Sequence, residues 1–356
     1  MVKILHVAET IKGGVATVLR QLVAVETSFE ICCIVPENQK DEIKNVPASI
    51  ETFKRTGRNF SSFFNLAKKF IRVYSEQKPD VIHIHSSFAG FICRAVLFFL
   101  PGKSKVIYCP HAFSFLMDGS EFKKNIYAFA ERFLGKKTDV IVCVSRYEYE
   151  EAIKRGLNKQ KLKIIYNGVE KPELIVTNNT IPVRDDESDD VLNILFVGRI
   201  DYQKGFDIVE QVAKKIGNKC KVVVVGGGVH SKPELSLEDN ISYAGWVSKE
   251  NMADYYLKAD VLLMPSRWES FGLVAVEAQS YGLPVIASRC SSLPEVVKEG
   301  ETGFLFPVND AEEACRILLS LNKVELQGMR NSAIAFYEKN FTSEKMVEQT
   351  FKLYGH

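Results

Sequence analysis

The sequence predicts an α/β protein with two domains, each built on a doubly wound parallel sheet. The chain has 356 residues, about twice the length of an ordinary domain. Short apolar, β-branched runs alternate with longer helical patterns along the whole chain, as expected for parallel strands covered by helices on both faces. A polar and acidic stretch without periodicity, 171–190, separates two such series and is typical of an exposed linker.

The apolar runs and the periodic segments predict the individual elements in chain order. In the first half we expect strands at 2–7, 30–35, 80–84, 104–109, 139–144 and 162–166, and helices at 14–25, 59–76, 88–99, 121–135 and 146–155. In the second half we expect strands at 193–198, 220–226, 260–264, 284–287 and 303–306, and helices at 204–216, 249–258, 273–281, 310–321 and 324–339. A last short helix is expected over 343–353.

The expected domain boundaries follow from these two series. The first domain covers 1–168, a linker covers 169–192, the second domain covers 193–340, and 341–356 forms a C-terminal helix that could pack back on the first domain. In doubly wound sheets ligands bind outside the carboxyl ends of the strands, so two such sheets facing each other would share an interdomain cleft.

Charge is divided unequally between the halves, although the net charge is only +2. Residues 1–170 carry 26 basic and 17 acidic side chains, and the remainder carries 20 and 27. A basic first half suggests an anionic surface or acceptor there, and uneven surface charge on a soluble enzyme is the alternative. No nucleic-acid recognition motif accompanies the basic residues, so nucleic acid is not an expected partner.

The cysteines and the apolar segments point to the cytoplasm. The eight cysteines include no CxxC pair, and their spacing supports neither disulfides nor a metal site. A strand pattern from residue 2 onwards argues against a signal peptide. The most apolar window, 88–100, contains Arg94 and is shorter than the about 20 residues that a spanning helix needs. We therefore expect a cytoplasmic protein that could lie peripherally on the inner face of the cell membrane.

Glycines at predicted strand ends are the first candidates for a binding site. Gly13 and Gly14 lie between the first strand and a helix, where backbone can approach an anion, although glycine there can also serve packing alone. They are not part of a GxGxxG fingerprint, which argues against a nicotinamide or flavin site. In the second half, Gly198 is followed by Arg199 and Lys204, two cations that suit a diphosphate unless both are simply solvated. Gly226 begins a run of three glycines that permits close backbone approach or forms a flexible turn.

The most informative segment is 265–278, where a strand is followed by a loop and an apolar helix. Glu269 lies just before that helix and Glu277 lies two turns inside it. A loop carboxylate can accept hydrogen bonds from sugar hydroxyls, a helix carboxylate can hold a ribose diol, and the helix N-terminus can face a phosphate. Glu277 stands among apolar residues, where an unpaired charge is costly.

With seven residues between them, Glu269 and Glu277 resemble the EX7E motif of retaining glycosyltransferases of the GT-B fold, family 4. The resemblance extends over almost the whole chain. Its other segments are Gly13-Gly14-Val15, the His111 region, Asn167-Gly168-Val169, Gly198-Arg199 with Lys204-Gly205, Tyr243–Val247, and Ala259-Asp260 with Pro265-Ser266.

The resemblance implies a role for each matching residue. Arg199 and Lys204 would bind the donor diphosphate, Glu277 the ribose, and Glu269 the transferred sugar. Backbone N–H groups of Phe271, Gly272, Leu273 and Val274 would assist Glu269, and the backbone near Trp246 and Val247 would meet the base. Gly14 would approach the phosphate, His111 would touch the donor sugar or leaving group, and Gly13, Gly14 and His111 would lie near the acceptor. His6, His83, His85 and His230 lack such support, and we expect them to be structural.

The implied reaction is transfer of a hexosyl group from a nucleotide diphosphate sugar with retention at the anomeric carbon. UDP-sugars are the preferred donors and GDP-sugars the alternative. Arg199, Lys204 and the helix N-terminus would replace a metal ion, because the Asp185-Asp186 and Asp189-Asp190 pairs fall in the linker. We therefore expect no metal and no cofactor. A nucleotide-sugar epimerase of the same architecture and a non-catalytic nucleotide-sugar-binding subunit are the alternatives.

Two basic and aromatic stretches of the first half, 54–70 and 113–137, are candidates for the acceptor side. Aromatic and lysine side chains on one helix can lie at an anionic membrane surface, although the same pattern also occurs on core-facing helices with a solvated edge. The hypothesis is peripheral membrane association with a polyprenyl-diphosphate-linked saccharide as acceptor, in the synthesis of a bacterial surface polysaccharide such as O-antigen, capsule or exopolysaccharide.

Overall fold

The computed structural model describes residues 1–172, 191–228 and 238–355. Its contacts divide the chain into two units, one made of Met1–Gly168 with Ser343–His356 and the other of Val169–Thr342. Each unit is a parallel sheet with helices, which confirms the predicted α/β class. Most of the expected linker, 169–192, and His230 lie outside the described residues.

The first unit contains a seven-stranded parallel sheet with the strand order β3-β2-β1-β4-β5-β6-β7. Its strands are β1 (Lys3–Ala8), β2 (Glu30–Pro36), β3 (Ser49–Phe53), β4 (Val81–His85), β5 (Lys105–Cys109), β6 (Val140–Cys143) and β7 (Leu162–Ile164). Its helices are α1 (Gly14–Ala24), α2 (Phe60–Gln77), α3 (Ser87–Val96), α4 (Glu121–Leu134), α5 (Arg146–Lys154) and, from the end of the chain, α12 (Ser343–Lys352).

The second unit contains a six-stranded parallel sheet with the strand order β10-β9-β8-β11-β12-β13. Its strands are β8 (Leu192–Val197), β9 (Cys220–Val225), β10 (Ile241–Gly245), β11 (Val261–Met264), β12 (Val285–Ser288) and β13 (Gly303–Phe306). Its helices are α6 (Phe206–Ile216), α7 (Met252–Lys258), α8 (Leu273–Ser280), α9 (Leu293–Val296), α10 (Ala311–Ser320) and α11 (Lys323–Asn340).

Side-chain chemistry explains where the helices begin. Asn59 precedes α2 and accepts a hydrogen bond from the N–H of Ser62 at 3.0 Å. Asn322 precedes α11 and forms a capping box with Glu325, each side chain accepting from the other residue's N–H. Such caps satisfy N–H groups that have no partner within the helix.

Two strands that the sequence analysis did not predict, β3 and β10, are the edge strands of their sheets. β3 is exposed at its first two residues, and β10 is exposed at three of its five. An edge strand has only one neighbour and need not be apolar on both faces. The short helix α9 was also not predicted, because four residues are too few to show a helical period.

The strand order places a topological switch point in each sheet. In the first unit the chain runs outward from β1 through β2 to β3 and then returns to the other side of β1 with β4. In the second unit β8 and β11 hold the same positions. Loops that leave neighbouring strands in opposite directions open a crevice at the carboxyl ends, which is where ligands bind such sheets. The candidate residues follow β1 and β5 in the first sheet and β8, β9, β10 and β11 in the second.

Candidate active site

Glycines line the carboxyl edge of the second sheet. The N–H of Gly198 donates to Val225 O at 2.9 Å, and the N–H of Gly226 donates to Gly245 O at 2.7 Å. Gly226 has a φ of 128°, and a Cβ atom there would lie 1.8 Å from Gly198 O. Only glycine fits this position, so the ends of three neighbouring strands present bare backbone.

The two loops at the switch point of the second sheet are locked together. Gly205, which precedes α6, has a φ of 69°, and a Cβ atom there would lie 2.1 Å from Pro265 O. The N–H of Arg267 donates to Gln203 O at 2.8 Å, and the side chain of Gln203 donates to Trp268 O at 3.3 Å. The loop that carries Lys204 is therefore fixed against the loop that carries Glu269.

Lys204 and Glu269 form an ion pair where these loops meet. The Lys204 ammonium donates to Glu269 Oε1, which also accepts from Ser266 Oγ at 2.9 Å. The backbone N–H of Lys204 donates to Asp201 Oδ1 at 2.9 Å. The side chain of Lys204 retains 17% exposure, so its cation lies at the edge of the sheet rather than inside the core. A ligand at this position could therefore contact a cation and a carboxylate at the same time.

Glu277 lies on α8 and has a different environment. Its Oε2 accepts a hydrogen bond from the Tyr256 hydroxyl at 2.9 Å. Burial raises the pKa of Glu277 above its ordinary value, and the Tyr256 hydroxyl and the charges of Lys249 and Lys204 oppose this shift. Burial and the neighbouring carboxylate raise the pKa of Tyr256 well above its ordinary value, so its hydroxyl stays protonated and donates. The charge of Lys204 thus acts on both predicted glutamates.

The N-terminus of α8 opens directly beside this pair of glutamates. Gly272 precedes the helix with a φ of 96°, and a Cβ atom there would lie 2.8 Å from Leu293 Cδ2. The first N–H groups of a helix have no partner within it and carry partial positive charge. Phe271 is buried, with its ring against Phe341, whereas Leu273 and Val274 are half-buried. This end of α8 can donate hydrogen bonds to an anion.

Arg199, Trp246 and Val247 lie around the same edge of the sheet. The Arg199 guanidinium donates to Gln203 Oε1 at 2.5 Å and pairs with Asp201 at 3.1 Å. Trp246 follows β10 and is 73% exposed, and Val247 is half-buried. An exposed indole beside glycine backbone offers a stacking surface to a planar group.

In the first unit, Gly13 and Gly14 follow β1 and lead into α1. Gly13 has φ 57° and ψ −137°, a conformation that side-chain-bearing residues rarely adopt. A Cβ atom there would meet nothing within 4 Å, and both glycines are exposed. Backbone geometry, rather than packing space, therefore requires glycine at this position.

His111 follows β5 in a strained backbone conformation and is held by its neighbours. Its φ is 56°, in the left-handed region. The loop is fixed on one side by Ser87 Oγ, which donates to Ala112 O at 3.1 Å. On the other side the buried carboxylate of Glu148 accepts from the N–H of Phe113 at 3.2 Å. Strain that the surroundings maintain in this way is common at functional sites.

The structure also places three further histidines beside His111. The Nδ1 atom of His85 lies 3.0 Å from His111 Nε2, and its Nε2 atom lies 3.0 Å from His6 Nδ1. His83 Nδ1 lies 2.8 Å from the hydroxyl of Tyr354. Burial lowers the pKa of His111 to about 4 and that of His6 to about 3. Burial and the adjacent imidazoles hold the pKa values of His83 and His85 well below the ordinary range, so these rings are neutral near pH 7.

Several contact residues of these sites gave no signal in the sequence. Tyr256 and Ser266 each donate to one of the two glutamates, and Gln203 joins the two loops. His85 was assigned a structural role, yet it contacts His111 directly. The residues meet through strand register and loop packing, which no spacing in the sequence reports.

The fold and these residues define a class of glycosyltransferase, and comparison with protein-family models shows the same class. The model for glycosyl transferases group 1 matches residues 179–336, and the model for glycosyltransferase family 4 matches residues 12–171. Together they cover most of the chain, which belongs to this glycosyltransferase family, as the EX7E resemblance predicted.

Individual relatives extend the comparison. An uncharacterized 41.2 kDa protein in the cps region of Klebsiella pneumoniae is 42% identical over 99% of both chains. The UDP-Gal:alpha-D-GlcNAc-diphosphoundecaprenol alpha-1,3-galactosyltransferase of Escherichia coli is 27% identical over 74% of this chain and 72% of its own length.

Solved structures share the fold. The Anabaena HepE protein, crystallised with UDP and glucose, has a TM-score of 0.79 at 18% identity over 99% of both chains. Sucrose-phosphate synthase from Thermosynechococcus elongatus has a TM-score of 0.82 at 20% identity, covering 99% of this chain and 98% of that one. Such likeness establishes the GT-B architecture.

Within the described ranges of the chain, no helix combines the length and the apolar character that crossing a membrane requires.

Proposed function

We propose that this protein is a retaining hexosyltransferase that uses a nucleotide diphosphate sugar, with a UDP-sugar as the preferred donor and a GDP-sugar as the alternative. The observation that carries the proposal is the Lys204–Glu269 pair, which lies at the N-terminus of α8 with Glu277 on the same helix. A cation, two carboxylates and free helix N–H groups match the diphosphate, ribose and hexose of such a donor. The UDP-glucose complex of HepE and the UDP-Gal donor named for the E. coli relative support uridine.

Each part of the donor is assigned to a part of the site. The diphosphate contacts Arg199, Lys204 and the first N–H groups of α8, and the ribose hydroxyls contact Glu277. The hexose contacts Glu269 and the backbone from Phe271 to Val274, and the base lies near Trp246 and Val247. Gly198 and Gly226 let the donor approach the strand ends, because neither carries a side chain.

Stabilisation of the departing nucleotide is the largest catalytic effect in this proposal. The bond between the anomeric carbon and the phosphate oxygen breaks, and its electron pair remains on that oxygen. The acceptor hydroxyl attacks the same face of the carbon and passes its proton to the departing oxygen, so configuration is retained. Lys204, Arg199 and the α8 N-terminus hold positive charge where this negative charge develops.

Because protein cations supply that charge, we propose that transfer needs no metal ion. Activity is expected to survive dialysis against EDTA. A loss of activity that Mg²⁺ or Mn²⁺ restores would contradict this part of the proposal.

His111, Gly13 and Gly14 complete the proposal from the first unit. His111 contacts the donor sugar or the leaving group, and Gly14 approaches the phosphate with its backbone. The acceptor binds near the same three residues. The rigid loop around His111 favours a positioned imidazole, since a strained backbone is held by Ser87 and Glu148.

The proposed acceptor is a saccharide linked to a polyprenyl diphosphate, in the assembly of a bacterial surface polysaccharide. The name of the E. coli relative includes a diphosphoundecaprenol-linked sugar, and the Klebsiella relative is described from a cps region. An acceptor of this kind is embedded in a membrane, so the enzyme must reach the membrane surface.

Helix α4 provides a surface suited to that task. Apart from Tyr127, which is 45% exposed, its exposed apolar side chains are Phe122, Ile126, Phe129 and Phe133, each between 48% and 75% exposed. The intervals of four, three and four residues place all of them on one face of the helix. This stripe therefore points to solvent, whereas a core-facing stripe would be buried. On α2, Phe60 and Phe64 are exposed in the same way.

Lysines lie directly beside these rings. The Lys136 ammonium lies 5.3 Å from the ring centre of Phe133, and that of Lys137 lies 5.3 Å from the ring centre of Phe98. Phe98 and Phe133 stack at 5.2 Å. Apolar rings bordered by cations suit the boundary between acyl chains and anionic headgroups.

The catalytic proposal is tested by incubating purified protein with a panel of UDP- and GDP-sugars. A thermal-shift screen identifies the donor, because only a ligand that prefers the folded state raises the melting temperature. Slow release of free sugar from that donor without acceptor separates an enzyme from a binding subunit, and an epimerised donor would reveal an epimerase. NMR of the transferred sugar must show the donor's anomeric configuration, and inversion would refute the retaining mechanism.

The membrane proposal is tested by flotation with vesicles of phosphatidylglycerol or of phosphatidylcholine. We expect the protein to float with the anionic vesicles at low salt and to be released at high salt. The double variant Phe122→Asp/Phe129→Asp should stay at the bottom of the gradient. A matched control, Leu319→Asp/Val324→Asp, changes two exposed apolar residues of the second unit and should float. Wild-type protein that fails to float at low salt would refute membrane association.

A further inference from the structure

A continuous chain of hydrogen-bonding groups runs inward from His111. It passes from His111 to His85 and from His85 to His6, at 3.0 Å for each step. His6 Nε2 lies 3.5 Å from the hydroxyl of Tyr354, which in turn lies 2.8 Å from His83 Nδ1. His6, His83 and His85 are almost fully buried.

The sheet register assembles this chain. His6 and His83 are partners on β1 and β4, and His85 is the partner of Cys109, two residues before His111. Because side chains alternate along a strand, His83 and His85 lie on the same face of the sheet. Tyr354 follows α12 and covers them from that face.

Neutral imidazoles impose a rule on such a chain. Each neutral ring carries one proton, so one of its nitrogens donates and the other accepts. The links between the rings must then all have the same direction, whereas the Tyr354 hydroxyl, with one proton and two lone pairs, can either donate once and accept once or accept twice. Either the ring protons all point toward His111, or they all point away from it.

The buried end of the chain distinguishes the two arrangements. His83 Nε2 is buried and has no hydrogen-bond partner among the described residues. If the protons point away from His111, one buried donor has no acceptor among the described residues: either the N–H at this atom, or the O–H of Tyr354 when its oxygen accepts from both His6 and His83. A buried donor without an acceptor is rare in proteins. If they point toward His111, His83 Nδ1 donates to Tyr354 and Nε2 is left with a bare lone pair. The second arrangement is the more favourable.

We propose that His85 is a positioning residue that fixes His111 in the tautomer with its proton on Nδ1, by donating a hydrogen bond to His111 Nε2. The Nδ1 atom of His111, which takes no part in the chain, then carries the proton and can donate a hydrogen bond. In the proposed reaction, on which this role depends, that donor meets an oxygen of the donor sugar or of the departing phosphate. The strained backbone at His111 and at Ser86, which follows His85 with φ 76°, keeps both rings in place.

The tautomer is measured directly by NMR of the imidazole nitrogens, since the chain has only six histidines. Protein labelled with ¹⁵N-histidine, with resonances assigned by single substitutions, should show a protonated Nδ1 and an unprotonated Nε2 for His111. In His85→Leu both tautomers should be populated. A wild-type His111 that carries its proton on Nε2 would overturn the proposal, and this result does not depend on activity.

The functional consequence is measured with a matched set of variants. His85→Leu should lower kcat about ten-fold, the effect of losing one transition-state hydrogen bond, with little change in the KM for the donor. His85→Asn should recover part of this loss, because its amide can take the place of Nδ1. Ile84→Ala removes a fully buried side chain from the same strand that takes no part in the chain of hydrogen bonds, and it should keep wild-type kcat.

Equal losses in Ile84→Ala and His85→Leu, without recovery in His85→Asn, would mean that His85 only supports packing, and would overturn the proposal. The ring nitrogens of His6, His83 and His85 also lie within 4.8 Å of one another. A stoichiometric transition metal in the purified protein would overturn it as well, because the metal would take the lone pairs of the chain. If His111→Ala leaves transfer unchanged while the tautomer is as expected, the catalytic role of His111 fails and the positioning by His85 stands.

Discussion

Each unit contains an ion pair with little exposure, and the two pairs differ in what surrounds them. In the first unit, Arg94 and Glu131 meet at 2.8 Å with side-chain exposures of 0% and 9%. In the second unit, the exposures of Lys204 and Glu269 are 17% and 9%.

The Arg94–Glu131 pair lies between α3 and α4 and is enclosed by further contacts. Arg94 Nε donates to Gly90 O at 2.8 Å, and its guanidinium lies 3.8 Å above the ring of Tyr108. The Tyr108 hydroxyl donates to the second oxygen of Glu131 at 3.0 Å. Lys204 and Glu269, in contrast, lie where strands end and a helix begins. The comparison teaches that an enclosed pair holds helices α3 and α4 together. A pair at the carboxyl ends of the strands can instead be opened by a ligand that takes the place of one of the two side chains.

The largest expected effect is on stability in the first unit. Arg94→Met leaves Glu131 buried without its cation, and we expect the free energy of unfolding to fall by about 3–5 kcal/mol. Urea denaturation measures this loss. Adding Glu131→Gln should restore part of it, because the uncompensated charge is then removed. Arg72→Met, which breaks solvent-facing pairs with Glu51 of β3 and Glu76 of α2, should cost less than about 1 kcal/mol. Equal losses in the two arginine variants would contradict the structural role of Arg94.

The corresponding change in the second unit should affect turnover more than stability. Lys204→Met is expected to lower kcat by roughly 10²–10³, the effect of removing one preorganised group that stabilises developing charge. The rate is measured at saturating donor, beside the stability of the same variant. Lys215→Met serves as the control, because Lys215 pairs with Glu312 on the surface of the same unit. An unchanged rate for Lys204→Met would contradict a catalytic role for the Lys204–Glu269 pair.

Glu277 extends the comparison to a half-buried carboxylate that accepts from Tyr256 and has no ion pair among the described residues. Glu277→Ala should weaken UDP binding about 10- to 100-fold, since hydrogen bonds to a charged group contribute about 1.5–3 kcal/mol. Isothermal calorimetry with UDP measures the change. Glu301→Ala, which removes an exposed carboxylate before β13, should bind UDP as the wild type does. If Glu277→Ala binds UDP as tightly as the wild type, Glu277 does not contact the ribose.

The smallest effect concerns pH. Burial raises the pKa of Glu277 in the folded protein, so the unfolded chain releases this proton at lower pH than the folded one. Stability should therefore fall as the pH rises from the ordinary glutamate pKa through the raised value, and the penalty is complete above it. Glu277→Gln should remove this dependence and slightly stabilise the ligand-free protein at pH 7. Denaturation curves of both proteins between pH 4 and 7 measure the difference, and parallel pH profiles would contradict it.

The central part of the fold could be predicted from the sequence because central parallel strands are apolar on both faces. β1, β4 and β11 are buried along nearly their whole length and gave clear signals. The edge strands β3 and β10 did not, since two residues of β3 and three of β10 are exposed. Their existence follows only from pairing with β2 and β9.

The candidate site divides in a similar way. Lys204, Glu269 and Glu277 were predicted as site residues because a charged side chain is unusual beside glycines or within an apolar segment. Tyr256 and His85 were missed as contact residues, because their partners are brought to them by the register of other strands and the packing of other helices. A residue whose role depends on a neighbour from a distant part of the chain has no local signature.

Tyr354 belongs to the first unit but follows the entire second unit in the chain. During synthesis, a ribosome therefore releases β1 to β7 long before the ring that covers His6 and His83 is available. Until then the imidazoles of the nascent chain are open to water on that side and can take up protons. Docking of α12 and Tyr354 is what excludes water from this side of the cluster, so we expect the imidazoles to lose these protons only after that helix has packed on the first sheet.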